Sequence, residues 1–258
     1  MINLKKSVFI PKISLFFLLS LTLFSAPLKI GVGSEFNAEL VNFIMEQDET
    51  LDIELVRYEN DKNLNRDLLN EKIDVNIFQT LDYLNSYNDL NNTSISSIGE
   101  TYGELMGLYS KKHNSIKSMP IGAVVAVPCD PSNKKRALIF LEKMGLIKLD
   151  YGKKITIEGI FSNPFKIEIV GVESSTLPRF LEVADYVILT GGTAFSVGYT
   201  PQTDSLFLES FNKKYINVIV SRKKMIKNKK IIEFSELAKS KETKLFILEK
   251  YGNNISFF

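Results

Sequence analysis

Short apolar runs alternate along the chain with stretches whose apolar residues recur at helical spacing. Leu28 to Val32 is one such run, ended by Gly33, and from Phe36 to Gln47 the residues Leu40, Phe43 and Ile44 fall on one helical face. Leu51 to Tyr58 alternates as a half-buried strand does, Leu64 to Leu69 suits a helix, and Ile73 to Phe78 a further strand. The pattern restarts after Lys111. Gly122 to Pro128 predicts a small-residue strand, followed by a helix that Asp130 caps and Pro131 begins and that Gly145 ends just past Met144. Ile167 to Val172 and Tyr186 to Leu189 predict two more strands with a helix, Leu177 to Val183, between them. Tyr215 to Ser221 follows as a strand, and Ile231 to Tyr251 as a terminal helix.

Strands separated by helical segments predict two α/β units, each a sheet with helices on its faces. Ligands of such sheets gather where the strands end. The polar and aromatic residues at those places are Phe78, Gln79, Thr80 and Tyr83, then Cys129 to Asn133, then Thr190 to Thr193.

Charge changes the picture at one end only. The formal net charge is +2, but Lys5, Lys6 and Lys12 lie ahead of the first acid, Glu35, and setting them aside leaves 29 basic against 30 acidic residues. A near-neutral body lacks the cationic surface that nucleic acid requires. The local run Arg222, Lys223, Lys224, Lys227, Lys229 and Lys230 reads as a solvated loop or helix face. Residues 1–25 predict an export signal: a basic start, an apolar core from Ile13 to Phe24, then Ser25 and Ala26. A core of about 12 residues is short for a membrane span.

Cys129 is the only cysteine and His113 the only histidine. Intrachain disulfides, zinc sites built from His and Cys clusters, and catalytic machinery with two histidines are thereby excluded. Gly191 and Gly192 form a small-residue turn without the Lys-Ser or Lys-Thr pair of a phosphate loop. The expectation is a binding protein and not an enzyme, with no cofactor.

Four stretches carry a resemblance: GETYGELMGLYSKK from Gly99 to Lys112, VAVPCDPSNKKRALIFLEKMGLIKL from Val125 to Leu149, NPFKIEIVGVESSTLPRFLEVAD, and YINVIVSR. Through them the chain resembles the NlpA-type methionine-binding lipoproteins that serve ABC importers. The resemblance implies a periplasmic-binding-protein fold of type II-like form. Two α/β lobes, 26–110 with 216–258 and 111–215, would be joined by crossover strands near Leu108 to Lys111 and Tyr215 to Val218. A ligand would lie in the cleft between them.

It also implies the site. Phe78, Tyr83 and Tyr102 stand at aromatic positions suited to sandwich an apolar side chain, Tyr58 joins the ligand-binding set, and Asn133 neighbours Arg136 on its helix. Arg136 matches the arginine that grips a ligand carboxylate, and Asn217 an asparagine that contacts the ligand backbone. The departures are Thr80 for a histidine, Cys129 for an asparagine, Thr190 for an asparagine and Thr193 for an aromatic residue, with Gly192 unusually small. They predict extra volume and a ligand different from or larger than methionine, a methionine-like amino acid or a short peptide, with the short peptide preferred.

The implied partners are that small molecule and a membrane permease, and the implied state is a monomer. The implied location is the periplasm or the cell envelope, with no cysteine after the apolar run to accept a lipid. A surface adhesin or antigen that keeps the fold without transport is the alternative.

Overall fold

The computed structural model describes residues 26–59, 61–252 and 255–256, so the expected export signal lies outside the described residues. Two sheets organise the chain. The first contains β1 (Leu28–Val32), β2 (Ile53–Arg57), β3 (Val75–Thr80), β4 (Ser96–Glu104), β12 (Ile216–Ser221) and β13 (Ile255–Ser256), in the order β13-β4-β12-β3-β1-β2. β1 runs parallel to β2 and β3, while β12 enters antiparallel between β3 and β4. The second sheet contains β5 (Gly107–Tyr109), β6 (Val124–Pro128), β9 (Glu168–Val172), β10 (Tyr186–Leu189) and β11 (Phe207–Leu208), in the order β11-β5-β10-β6-β9. A hairpin of β7 (Lys148–Leu149) and β8 (Ile160–Ser162) stands apart.

Helices α1 (Glu35–Gln47), α2 (Leu64–Leu69), α3 (Leu81–Asn91), α7 (Lys229–Lys239) and α8 (Lys241–Tyr251) accompany the first sheet; α4 (Pro131–Lys143), α5 (Gly191–Phe195) and α6 (Pro201–Asp204) accompany the second. Each sheet has its own core. Ile30, Leu40, Ile44, Ile219 and Phe234 are buried together in the first lobe, and Val125, Leu138, Phe140 and Ile188 in the second. No helix among the described residues is long and apolar enough to cross a membrane.

The caps explain where the helices that aim at the cleft begin. Ser34, Thr80 and Asp130 each accept a hydrogen bond from the backbone N–H three residues on, at 3.2, 3.2 and 2.9 Å, satisfying donors that a helix start leaves orphaned. Gly145, at φ +75°, ends α4 in a conformation that favours glycine.

Several expectations change. Gly107–Tyr109 already pairs with β10, so the first passage between sheets falls at Leu105 and Met106, ahead of Leu108 to Lys111. The return occupies residues 209–215, and Ile216 to Val218 already belong to the first sheet. Leu177–Glu182 is a 3-10 helix, and the terminal helix is two helices, because Ser240 ends α7 and caps α8 by accepting from Thr243 N at 3.1 Å. In the basic run, Arg222 is buried: its guanidinium donates to Leu68 O and to Asp74 Oδ1, both at 2.7 Å.

Candidate ligand-binding site

The ends of β1, β3, β6, β9 and β10 face one cleft between the lobes, and polar contacts bridge it. Ser132 Oγ on α4 donates to Asp82 Oδ2 on α3 at 3.0 Å, and Lys62 Nζ, just before α2, meets Glu173 Oε1, just after β9, at 3.0 Å.

Phe78 and Tyr83 are brought together. Their rings meet edge to face at 5.6 Å, both half-buried, and Tyr83 also lines a crevice between α3 and α4 with Tyr87, Leu90, Pro131 and Ser132. Loss of water and the nearby carboxylates of Asp130 and Asp61 push the Tyr83 phenol well above its ordinary value. Thr80 is the cap of α3, and Asn217 lies opposite it in the β3–β12 pairing. The Asn217 backbone carbonyl accepts from Thr101 Oγ1 at 3.0 Å, while its side-chain amide has no hydrogen-bond partner among the described residues.

Tyr102 and Tyr58 are held within the first lobe, Tyr102 beside Glu104. Tyr102 is fully buried in the first lobe's core, its ring 4.3 Å from that of Phe36 and its hydroxyl donating to Asn37 Oδ1 at 2.6 Å. Tyr58 packs against α2, donating to Asp67 Oδ2 at 3.1 Å, and dehydration followed by that carboxylate pushes its phenol up to about 12. Gln79 is buried as well, tying β3 to α2 through Asn65 and Asn76.

On the second lobe, Asn133 turns back to its own helix cap, its Nδ2 donating to Asp130 Oδ2 at 3.2 Å. Arg136 is 3% exposed and already paired. Its Nε donates to both carboxylate oxygens of Glu209, at 3.2 and 3.0 Å, and its Nη2 donates to Glu209 Oε2 and, at 2.7 Å, to Glu104 O. The guanidinium stacks on Tyr215, 4.0 Å from the ring centroid. Nη1 makes no hydrogen bond among the described residues.

Thr190 and Thr193 bond to each other through their hydroxyls at 2.9 Å. The volume expected beside Gly192 is filled: Gly192 N–H donates to Glu104 Oε2 at 2.7 Å. Cys129 is half-buried beside Gly171; dehydration and a hydrogen bond to Glu173 hold its thiol above the ordinary value.

Asp61, Glu104 and Glu209, the partner of Arg136, carry no site signal in the sequence, whereas Asp130 falls in the Cys129 to Asn133 stretch. Asp61 lies against Gly33, where a Cβ on the glycine would come within 1.9 Å of Asp61 Oδ1. Asp61 keeps a solvent-facing surface yet is crowded by protein across the cleft; dehydration, then the charges of Glu104 and Asp130, push its carboxyl up to about 7. Dehydration also raises Glu104 and Asp130 above their ordinary values, against the opposing hydrogen bonds from Gly192 and Asn133. None of these acids carries a local sequence signal except Asp130, whose capping role was legible. Among the described residues no group of His, Cys, Asp and Glu is arranged to hold a metal.

Comparisons with known proteins bear on the family and the fold. The family model described as NlpA lipoprotein matches residues 28–256. The D-methionine-binding lipoprotein MetQ of Salmonella typhi is 35% identical over 202 residues, covering 76% of this chain and 74% of its own length. Membrane lipoprotein TpN32 of Treponema pallidum is 32% identical over 198 residues, covering 75% and 74%. A nutrient-binding protein from Burkholderia cenocepacia, solved bound to methionine, superposes with a TM-score of 0.84 at 31% identity, covering 89% of this chain and 100% of that one. With both sheets and both passages inside the matched span, the chain belongs to the NlpA lipoprotein family.

Proposed function

We propose that this chain is the extracytoplasmic receptor of an ABC importer and that it closes on a zwitterion, a methionine-like amino acid or a short peptide. One observation carries the reading: the cleft opposes charges of both signs. Arg136 offers Nη1 to a carboxylate, while Asp61, Glu104 and Asp130 surround the place for an ammonium. Phe78 with Tyr83 supplies an aromatic wall for an apolar side chain, and the unpartnered amide of Asn217 a contact for the ligand backbone.

The names of the relatives, which carry D-methionine, and the methionine in the Burkholderia protein support an amino acid with an apolar side chain. Thr80, Thr190 and Thr193 remain departures that favour a different ligand. The Glu104 carboxylate beside Gly192, however, takes the room that a second residue would need, so of the two classes a single amino acid has more support. Tyr102 and Tyr58 act through the core and α2, not by touching ligand. Binding, with transfer to a membrane permease, accounts for these groups without a catalytic step. The segment 1–25 supports export to the periplasm or envelope, and the receptor works as a monomer.

Calorimetric titration of the mature protein with methionine and a panel of dipeptides tests this. Saturable binding of either class is expected. Methionine binding stronger than any dipeptide selects the amino acid, the reverse selects the peptide, and binding of neither overturns the receptor in favour of a surface protein that has kept only the fold.

A further inference from the structure

The two passages between the lobes run side by side. Glu209 N–H donates to Met106 O at 2.8 Å, and Met106 N–H returns a hydrogen bond to Glu209 Oε2 at 3.2 Å. Arg136 reaches this junction from α4, and its contacts are distributed over it. Glu104 O is where the first passage begins, Glu209 is where the second begins, and Tyr215 is where the second ends. One side chain of the second lobe therefore holds both connections at once. It belongs to the same helix whose first turn contacts Asp82 of the first lobe.

We propose that Glu209 is a positioning residue of the ligand site: by fixing Arg136 against both passages it presents Nη1 to the ligand carboxylate and makes carboxylate capture and lobe closure a single event. This rests on the receptor reading above. An arginine side chain has many rotamers, and a partner that freezes them beforehand removes that ordering cost from binding. Glu209 also answers the guanidinium charge while the cleft is empty, so the buried cation is never unpaired. Because Nε and Nη2 are spent on the passages, any pull on Nη1 is transmitted to Glu104 O and Glu209, where the two passages begin. A pair that served only to stabilise the second lobe would have no reason to bond to both passages.

The test uses Glu209→Gln, which keeps the shape and one acceptor oxygen but removes the charge and the second acceptor. Calorimetry compares the tighter-binding of methionine and alanylmethionine with its C-terminal carboxamide, which has no carboxylate. Binding of the free acid should weaken by about tenfold or more, as for a lost charge-assisted contact, with the carboxamide changed less than about twofold. Interlobe distances come from spin labels at Glu49→Cys and Lys153→Cys in a Cys129→Ser background. In the ligand-free variant their distribution should broaden. Equal weakening of acid and carboxamide, or no weakening, overturns the proposal. If wild type binds neither the free acid nor its carboxamide, the receptor reading fails separately, and an unbroadened distribution then overturns this inference too. If Glu209→Gln does not fold by circular dichroism, Glu209→Asp and Tyr215→Leu are carried through the same measurements with the same outcomes.

Discussion

The Gly192 amide points into the carboxylate of Glu104, 2.7 Å from N to Oε2, although Glu104 ends a strand of the first sheet and Gly192 lies in the first turn of a helix of the second lobe. A Cβ at 192 would stand 3.0 and 3.1 Å from the two carboxylate oxygens. The small residue is there because an acid from the neighbouring lobe occupies the space. Gly192→Val should therefore displace Glu104, lowering stability by about 1–3 kcal/mol as overpacking does. Urea unfolding and methionine titration check it, with weakened binding in a folded variant as the expected outcome.

Asp61 gives a pH dependence with a defined sign. Its folded carboxyl is raised to about 7 from 3.8, so the folded state holds the proton more tightly than the unfolded chain. The stabilising contribution is full below 3.8 and is lost as pH rises through about 7. Asp61→Asn should flatten the melting temperature across that window. A ligand ammonium beside Asp61 acts the other way and expels the proton. Calorimetry at about pH 6 in buffers of different ionisation enthalpy should register proton release on binding, and Asp61→Asn should abolish it.

Of the bridges across the cleft the Lys62–Glu173 pair is exposed, its side chains 64% and 48% accessible. Such a pair contributes about 0–1 kcal/mol, and less in high salt. Lys62→Ala combined with Asp82→Ala should leave unfolding nearly unchanged but speed ligand release. Stopped-flow dissociation at low and high salt measures this, and the difference between wild type and variant should narrow as salt rises.

Asp130 caps α4 through Asn133 N at 2.9 Å. Asp130→Ala should cost about 0.5–2 kcal/mol in denaturant unfolding, with Asp130→Asn nearer to wild type because an amide oxygen still accepts that bond. If the carboxylate also receives the ligand ammonium, Asp130→Asn should weaken binding while sparing the fold.

The strands and helices legible in the sequence were those whose apolar spacing is set by burial on one lobe's core. Leu28–Val32, Val124–Pro128 and Tyr186–Leu189 form close to where their apolar runs predict, and the Asp130-Pro131 start of α4 is where the cap signal puts it. β4 was missed because Ser96–Glu104 is rich in Ser, Thr and Gly, and its burial comes from β12, more than a hundred residues later. The same cause hid the site. Arg136 stood out by its helix position, but its occupation by Glu209 is a contact over 73 residues, and Asp61, Glu104 and Asp130 converge only once both lobes exist. Tyr102 shows the limit of an aromatic signal, since the sequence cannot tell that its ring is buried against Phe36 and its hydroxyl bonded to Asn37.

The strand order has a consequence for how the chain is made. β12 sits in the middle of the first sheet, between β4 and β3, so those two strands have no edge to share until residue 216 has emerged. The second sheet draws all its strands from 107–208, one uninterrupted stretch. Chains are synthesised from the amino end and domains fold as units. The lobe encoded in the interior should thus consolidate first, leaving β4 and the open edge of β3 waiting for the carboxyl-terminal segment to seal them.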